Sequence, residues 1–392
     1  MELKIDVKNL ALNPVNSVKT NGFSISLFHR DEDPVTANRI EISNGVTRIE
    51  LQPSKGLSVG QAWFNNLPVF WEAPIGLPDT ETIDLWSEEV MINGQPAPGF
   101  TFLKTFCGGI ELYGLNNWGM PKTHNDELYP LHGETSNIPV DEVELIVHDN
   151  QLILEGMFLY RTFNGDKNVP WYKRGGAIFV VTRKIILDKG LLAFRVEDTI
   201  LNIGNQEQLP DWGYHITFRP EDGAKLLVPS KSAEEREGGT LPNDLETWRP
   251  AQNPVLRTET GIIHKGLLHD TLPDGSQSSF ILVRYPDSYG ILAGFPVAPY
   301  FQTWFCNGGM GSDEFTFSDG TSLLQKNWDG MGIEIGSGAL DHNGNTDPSV
   351  QYSAVLKPGE KITIPITIEF ADLKKSDEIA AHIQNYSRDF RK

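Results

Sequence analysis

The sequence is poor in cysteine, with Cys107 and Cys306 as the two cysteines among 392 residues. Two cysteines exclude the disulfide framework of a small secreted domain and a four-cysteine zinc site. The nine histidines are scattered and form no HExxH pattern, so the sequence does not predict a zinc site. A chain of this length needs neither kind of crosslink, because it can bury a large hydrophobic core.

Long hydrophobic runs are also missing. No stretch approaches the roughly 18 apolar residues expected of a spanning helix, and residues 1–6 lack the pattern of a signal peptide. We therefore expect a cytoplasmic protein with no membrane partner. Basic charge is scarce, since 33 Lys and Arg stand against 52 Asp and Glu and the net charge is -19. This balance argues against nucleic acid as a partner.

Several catalytic motifs are absent. The sequence has neither a glycine-rich phosphate loop before a helix nor a strand–GxSxG–helix elbow. Residues 341–347 alternate Asp and Asn as a calcium loop does, but Thr346 stands where the loop needs Gly and Tyr352 where it needs Glu. We interpret this segment as a polar turn and expect neither a metal nor an organic cofactor.

What the chain does contain is a succession of short alternating segments separated by turns, with 37 Gly and 25 Pro. Residues 178–187 and 192–200, joined at Asp188-Lys189-Gly190, are typical of a β-hairpin. One helix is predicted near the end, over 373–390, with Ser376 as its cap. These features predict an all-β protein, a sandwich of large antiparallel sheets, with residues 1–392 forming one domain whose core spans about 45–370.

Residues 211–218 form the most informative strand. Period-two alternation places the apolar side chains of Trp212, Tyr214, Ile216 and Phe218 on one face of the strand. The other face carries Asp211, Gly213, His215 and Thr217. A glycine inside a strand often marks the close approach of a ligand or another backbone. His215 beside Gly213 could therefore contact a small molecule, although a solvated outer face explains the same pattern.

Residues 328–336 repeat this arrangement around an acid. Glu334 shares its face with Gly330, Gly332 and Gly336, which leaves space on both sides of one carboxylate. A bulged or edge strand, whose glycines serve backbone geometry, is the alternative explanation.

Five further residues are candidates for binding a polar ligand. His132 is followed by Gly133 at the exit of a long loop, where a simple turn residue is the alternative. Gln302 and Trp304 share a strand face that suits a sugar, although core packing also explains the indole. Arg48 and Lys55 flank a bend and could bind a ligand or form surface ion pairs.

Four segments in this order resemble the aldose 1-epimerase (galactose mutarotase-like) superfamily, and its bacterial aldose-1-epimerase-like relatives most closely. They are RIELQPSKG (48–56), LHGETSNIP (131–139), DWGYHITF (211–218) and GIEI (332–335). The resemblance spans about residues 45–370. It implies a galactose mutarotase-like β-supersandwich with a sugar cleft on its concave face.

The resemblance also implies roles for individual residues. His215 matches the general acid and Glu334 the general base, while His132 and Arg48 match residues that hold sugar hydroxyls. Galactose mutarotases carry Asn where this chain has Tyr214, and usually Pro where it has Ile335. These two departures bear on the identity of the substrate.

Anomer interconversion requires one acid and one base at a hemiacetal, which His215 and Glu334 would supply without a cofactor. We expect these two groups on opposite sides of the bond that breaks, and Asp211 on a sugar hydroxyl. The partner expected is a small-molecule sugar, with the protein a monomer or homodimer.

Three other functions remain open. The first is a non-catalytic carbohydrate-binding protein. The second is an epimerase of a phosphorylated or acidic sugar that uses Arg48, Lys55, Lys122 or Arg219 as its anion site. A weaker third is a polysaccharide lyase or hydrolase, which would need a long groove and a second acid.

Overall fold

Two large antiparallel sheets contain most of the strands in the computed structural model of this protein. The structure describes residues 2–6, 16–35, 37–73, 76–80, 82–86, 90–124, 126–140, 142–163, 168–253, 257–286, 289–308, 315–317, 329–337 and 355–387. The polar turn predicted at 341–347 and Trp328 of the second informative strand lie outside these ranges.

The strands of the first half of the chain are β1 (Glu2–Asp6), β2 (Asn16–Thr20), β3 (Phe23–Phe28), β4 (Arg39–Ser43), β5 (Thr47–Gln52), β6 (Ser58–Phe64), β7 (Leu67–Pro68), β8 (Val90–Ile92), β9 (Gln95–Pro96), β10 (Gly109–Leu115), β11 (Lys122–His124), β12 (Glu127–Tyr129), β13 (Glu142–Val147), β14 (Gln151–Arg161), β15 (Ala177–Asp188) and β16 (Ala193–Asn202). Those of the second half are β17 (Asp211–Phe218), β18 (Lys225–Leu227), β19 (Ser232–Glu235), β20 (Thr258–Lys265), β21 (His269–Thr271), β22 (Gln277–Arg284), β23 (Gly290–Pro296), β24 (Tyr300–Asn307), β25 (Phe315–Phe317), β26 (Gly330–Gly336) and β27 (Lys361–Ala371). The helices are α1 (Phe102–Thr105) and α2 (Leu373–Tyr386), and short 3-10 turns span Pro53–Lys55, Thr135–Asn137 and Trp171–Lys173.

The first sheet has the order β1-β13-β14-β15-β16-β27-β23-β22-β18, with β21 paired to β22. The second has the order β19-β20-β24-β26-β17-β10-β6-β5-β4-β3-β2, with β7 paired to β6. The two most informative segments of the sequence, β17 and β26, are adjacent in the middle of the second sheet. Strands that precede residue 45 also belong to these sheets, so the sheets extend beyond the predicted core of 45–370.

One hydrophobic core joins the two sheets, because alternate residues of each strand face it. Trp212, Tyr214, Ile216 and Phe218 of β17 lie in this core, as their alternation predicts. The first sheet contributes buried aliphatic side chains, including Val181, Ile185, Val196, Ile200, Ile364, Ile366 and Ile368. The prediction of an all-β sandwich is confirmed.

A buried polar network also crosses between the sheets. The Tyr214 hydroxyl donates to Asp198 Oδ2 at 2.5 Å, and Arg183 donates to both carboxylate oxygens of Asp198 at 2.8 and 2.7 Å. Tyr214 belongs to β17 of one sheet, while Arg183 and Asp198 belong to β15 and β16 of the other. The carboxylate is thus fully paired in a site where an unpaired charge would be costly.

The C-terminal helix and its start at residue 373 are confirmed, but its capping residue was predicted wrongly. Asp372, not Ser376, is its N-cap and accepts a hydrogen bond from the Lys375 backbone N–H at 2.8 Å. Ser376 lies inside the helix and is buried. Ala380 and Ile383 face Leu282 and its neighbours on the first sheet. No helix in the described ranges is long and apolar enough to span a membrane.

Candidate active site

A row of polar side chains crosses four adjacent strands of the second sheet. Glu334 of β26 lies directly opposite Gln302 of β24 on one side and His215 of β17 on the other. His215 is in turn opposite Glu111 of β10. Residues paired directly across antiparallel strands project from the same face, so these four side chains form one line on the face turned away from the core. All four are buried, so this face is not the solvated outer face considered as an alternative.

His215 and Glu334 are in contact at the centre of this row. His215 Nε2 lies 3.4 Å from Glu334 Oε1, and the two residues are 6% and 5% exposed. Burial raises the pKa of Glu334, but the charge and hydrogen bond of His215, with the charges of His132 and Arg236, outweigh it and bring that pKa to about 2. The carboxylate is therefore ionised at neutral pH. A contact of 3.4 Å leaves no room for a sugar ring between the acid and the base. Their expected position on opposite sides of the bond that breaks stays a prediction.

His132 completes the group from a loop. Its backbone has φ of 57°, in the left-handed region, and Nδ1 lies 2.6 Å from the Trp118 carbonyl oxygen. A carbonyl only accepts, so Nδ1 carries a proton, and in a neutral ring Nε2 is the acceptor. Burial lowers the pKa of His132, although the charge of Glu334 opposes this effect. Nitrogen and oxygen atoms of His132, His215 and Glu334 lie within 4.8 Å of one another, so the three residues that the resemblance implies for one site lie together.

The glycines beside these groups make room for indole rings. A Cβ at Gly213 would lie 2.1 Å from Trp118 Cε3, and one at Gly336 would lie 2.4 Å from Trp118 Nε1. On the other side of Glu334, a Cβ at Gly332 would lie 2.8 Å from Trp304 Cε2. The space predicted around Glu334 is thus filled by two tryptophans, which form the walls of the site.

Buried polar atoms without partners surround the carboxylate. Trp118 Nε1, Trp304 Nε1, the Tyr300 hydroxyl and Gln302 Oε1 are buried and have no hydrogen-bond partner among the residues that the structure describes. Such atoms are costly unless a ligand or solvent satisfies them. Donors and an acceptor beside aromatic faces match the hydroxyl groups and C–H faces of a sugar.

Lys55 does not reach the ligand side of this row. It is fully buried, and its ammonium contacts Glu111 Oε2 at 2.9 Å, the Thr105 carbonyl at 2.7 Å and Asn137 Oδ1 at 3.0 Å. The Thr105 carbonyl and Asn137 accept hydrogen bonds from the ammonium, and Glu111 pairs with its charge. Lys55 therefore neutralises Glu111 at the end of the row, and a contact between Lys55 and substrate stays a prediction.

Arg48 lies away from the site. It is in β5, three strands from β17, which places it about 14 Å from the β17 backbone across the sheet. Its guanidinium pairs with Glu41 at 2.9 Å and covers the Trp63 ring at 3.7 Å. Arg48 thus forms the surface ion pair considered as the alternative, and a contact between Arg48 and a sugar hydroxyl stays a prediction.

Asp211 supports the loop that carries Trp118. Its Oδ2 accepts from the Trp118 backbone N–H at 3.3 Å, and its Oδ1 accepts from the Ser337 hydroxyl at 3.4 Å. Burial lowers the pKa of the nearby Lys122, and the charge of Asp211 opposes this effect. A contact between Asp211 and a sugar hydroxyl stays a prediction.

Arg236 is the cation that sequence reasoning missed. It follows β19, and its side chain lies over Gly261, where a Cβ would be 2.9 Å from its Nε. It pairs with Glu259 at 3.0 Å and with Glu237 at 3.2 Å, and its charge lowers the pKa of Glu334. Gly261, opposite Trp304 in the strand register, leaves the space that this side chain occupies. Arg219, by contrast, contacts Tyr289 and Glu221.

The donor set also has metal-binding character. Two imidazoles and a carboxylate suit a divalent transition metal. The sequence predicted no metal here, and that expectation stays a prediction.

The two departures from the family pattern face away from the site. Tyr214 binds Asp198 in the core, and Ile335 is also a core residue. Neither side chain touches the face that carries His215 and Glu334, so neither departure removes a group from that face.

Comparison with known proteins supports the fold. The model of a family described as a domain of unknown function, DUF4432, matches residues 36–265. A comparison with curated proteins finds no match. Among solved structures, a Klebsiella pneumoniae protein provisionally named an aldose 1-epimerase has a TM-score of 0.70 at 18% identity, covering 98% of this chain and 92% of its own. A galactose mutarotase-like protein from Clostridium acetobutylicum has a TM-score of 0.54 at 12% identity, covering 90% and 100%. The predicted galactose mutarotase-like fold is confirmed.

Proposed function

The chain belongs to the DUF4432 family, and from this premise and its galactose mutarotase-like fold we propose that it is a cofactor-independent isomerase of the aldose 1-epimerase type. The substrate would be the cyclic form of an aldose. The observation that carries the proposal is the buried contact of His215 with Glu334, with His132 beside both.

The spacing of the two groups supports the reaction. In a hemiacetal the anomeric hydroxyl and the ring oxygen share one carbon, so these oxygens lie closer together than the 3.4 Å between His215 Nε2 and Glu334 Oε1. A sugar placed over the pair would meet both groups along one edge. Each group could then approach its oxygen within the roughly 2.6–3.2 Å needed for proton transfer.

The proton transfers follow from the charges. Glu334, ionised by its cationic neighbours, takes the proton of the anomeric hydroxyl, while His215 gives a proton to the ring oxygen. The bond between the anomeric carbon and the ring oxygen breaks and leaves an open-chain aldehyde. Rotation about the adjacent carbon–carbon bond and closure on the other face return both protons. His132 Nε2 is an acceptor placed to orient a sugar hydroxyl.

A mutarotation assay tests the proposal. Freshly dissolved α-anomers of several aldoses are followed by polarimetry with the protein and with buffer alone. We expect at least one sugar to equilibrate faster with the protein, and Glu334→Gln to return that rate to the buffer value. A full panel without acceleration contradicts the proposal.

A second candidate, isomerisation of an acidic or phosphorylated sugar, is favoured by Arg236. Its guanidinium is about one-fifth exposed and acts on the pKa of Glu334, so a substrate anion could compete for it with Glu237. Comparing glucose 6-phosphate and glucuronate with glucose in the same assay separates the two candidates. Arg236→Gln should weaken turnover of the anionic sugars selectively.

The weak basicity of Glu334 favours a third candidate, non-catalytic sugar binding. A carboxylate with a pKa of about 2 is a weak proton acceptor. Calorimetric binding of a sugar without acceleration of its mutarotation would support this function and refute the isomerase.

A further inference from the structure

A cavity of about 760 Å³ lies apart from the acid–base site. Trp86, Phe163 and Trp171 line it together with Asn116 and Glu134. None of the three residues of the acid–base group lines this cavity. Its volume is in the range of cavities that hold small molecules.

The two sites share two segments of chain. Asn116 and Glu134 line the cavity, whereas Trp118 and His132, each two residues away, belong to the acid–base site. The positive φ values of His132 and Gly133, 57° and 71°, turn the chain between the two sites. A ligand in the cavity would therefore contact the segments that position Trp118 and His132.

One side of the cavity is aromatic. Trp86 packs edge-on against Trp171 with centroids 5.7 Å apart, and Phe163 lies 5.4 Å from Trp171 and 6.0 Å from Trp86. The Trp171 indole N–H donates to the Thr80 carbonyl at 3.0 Å, which fixes its orientation. Rigid aromatic faces of this kind suit the C–H surface of a pyranose ring.

The cavity lining also carries hydrogen-bonding groups. Asn116 Oδ1 is buried without a partner in the described part of the chain. Glu134 is 2% exposed and accepts from the Tyr160 hydroxyl at 3.0 Å. Burial raises the pKa of Glu134 to about 7, so its carboxyl can both donate to and accept from a hydroxyl near neutral pH.

The charged residues of the lining limit the class of ligand. Asp84, Glu127 and Glu134 are acidic, and Arg174 is the one basic residue among those that line the cavity. A phosphorylated or carboxylated sugar would meet net repulsion here. A neutral sugar meets no such penalty.

We propose that this cavity is a second, non-catalytic binding site for a neutral pyranoside, with the ring against Trp86 and its hydroxyls on Asn116 and Glu134. The inference does not depend on turnover at Glu334. The site would add affinity for a sugar beside the reacting one, or hold the neighbouring unit of a larger saccharide.

Methyl glycosides test the proposal, because a glycoside has no free anomeric hydroxyl and cannot be turned over. Titration calorimetry of the full chain uses methyl glucoside, methyl galactoside, methyl xyloside and methyl β-maltoside. We expect at least one to bind, and Trp86→Ala and Glu134→Leu each to weaken its binding tenfold or more. Glu134→Leu removes the donor and acceptor with little change in side-chain size, so it controls for misfolding of Trp86→Ala.

Glu334→Gln separates this site from the other. Binding that persists in Glu334→Gln while both cavity variants weaken it supports the cavity site. Binding weakened as much by Glu334→Gln as by Trp86→Ala, or no binding of any glycoside up to tens of millimolar, overturns it. Loss of catalysed mutarotation in Glu334→Gln bears on the proposed isomerase alone.

Discussion

Gly213→Ala should displace Trp118 and damage both stability and activity. The added Cβ would lie 2.1 Å from Trp118 Cε3, whereas ordinary contact begins near 3.4 Å, so the indole must retreat by about 1.3 Å. Trp118 is fully buried and also lies against Gly336, which leaves little room for that movement. Overpacking of this kind costs about 1–3 kcal/mol, partly offset by the roughly 0.5–1 kcal/mol that Ala gains over Gly in a strand.

The mutarotation rate should fall by more than the loss of stability alone explains. The Trp118 carbonyl accepts from His132, so the displacement moves a group that faces Glu334. A misplacement of about 1 Å can reduce a rate by about 100-fold. Urea denaturation followed by tryptophan fluorescence measures the first effect, and the mutarotation rate measures the second.

Gly176→Ala is the matched control. Gly176 has no heavy atom within 4 Å of its added Cβ and no left-handed backbone, so its change should be neutral or stabilising by up to about 1 kcal/mol. If Gly213→Ala is as stable and as active as Gly176→Ala, Trp118 does not occupy the space beside His215, and the reasoning is refuted.

Three further changes have defined outcomes. Lys55→Met should destabilise the protein by about 3–5 kcal/mol in urea denaturation, because it leaves Glu111 buried without its cation. Arg48→Ala breaks a partly exposed ion pair and should cost about 0–1 kcal/mol in the same assay. Equal losses of stability in the two variants would contradict the two placements. Tyr214→Phe should cost about 1.5–3 kcal/mol of stability through the lost hydrogen bond to Asp198 and leave the KM for the sugar unchanged. Tyr386→Phe serves as its control, because that hydroxyl lies at the surface and donates to a neutral acceptor, the Gly266 carbonyl. The pKa of Glu334 falls from its ordinary 4.5 to about 2 in the folded protein, so its ionisation stabilises the fold above pH 4.5 and this contribution disappears as pH falls toward 2. The difference in unfolding free energy between the wild type and Glu334→Gln should therefore shrink over that range. A constant difference would argue against the ion pair.

The sequence predicts much of this fold because its strands alternate cleanly. The apolar face of β17 and the apolar face of β26 both lie in the core, as period two requires. The pairing of His215 with Glu334 depends on the register of two strands over 100 residues apart, which periodicity cannot give. The family resemblance brought them together, since it describes the three-dimensional arrangement.

The unexpected placements have a physical origin as well. Lys55 and Arg48 flank one bend, and sequence cannot tell a fully buried lysine, whose acidic partner Glu111 lies far along the chain, from a surface arginine paired with the nearby Glu41. The glycines beside Glu334 indicated space correctly. They could not show that Trp118 and Trp304 fill it, because those contacts join distant loops and strands.

A double-mutant cycle on catalysed mutarotation tests the central claim most directly. If His215 and Glu334 act as one acid–base unit, His215→Asn, Glu334→Gln and the double variant should all return the rate to about the same residual level. Circular dichroism of each variant confirms that it is folded. Independent, multiplying losses in the double variant, or full activity in either single variant, would contradict the account.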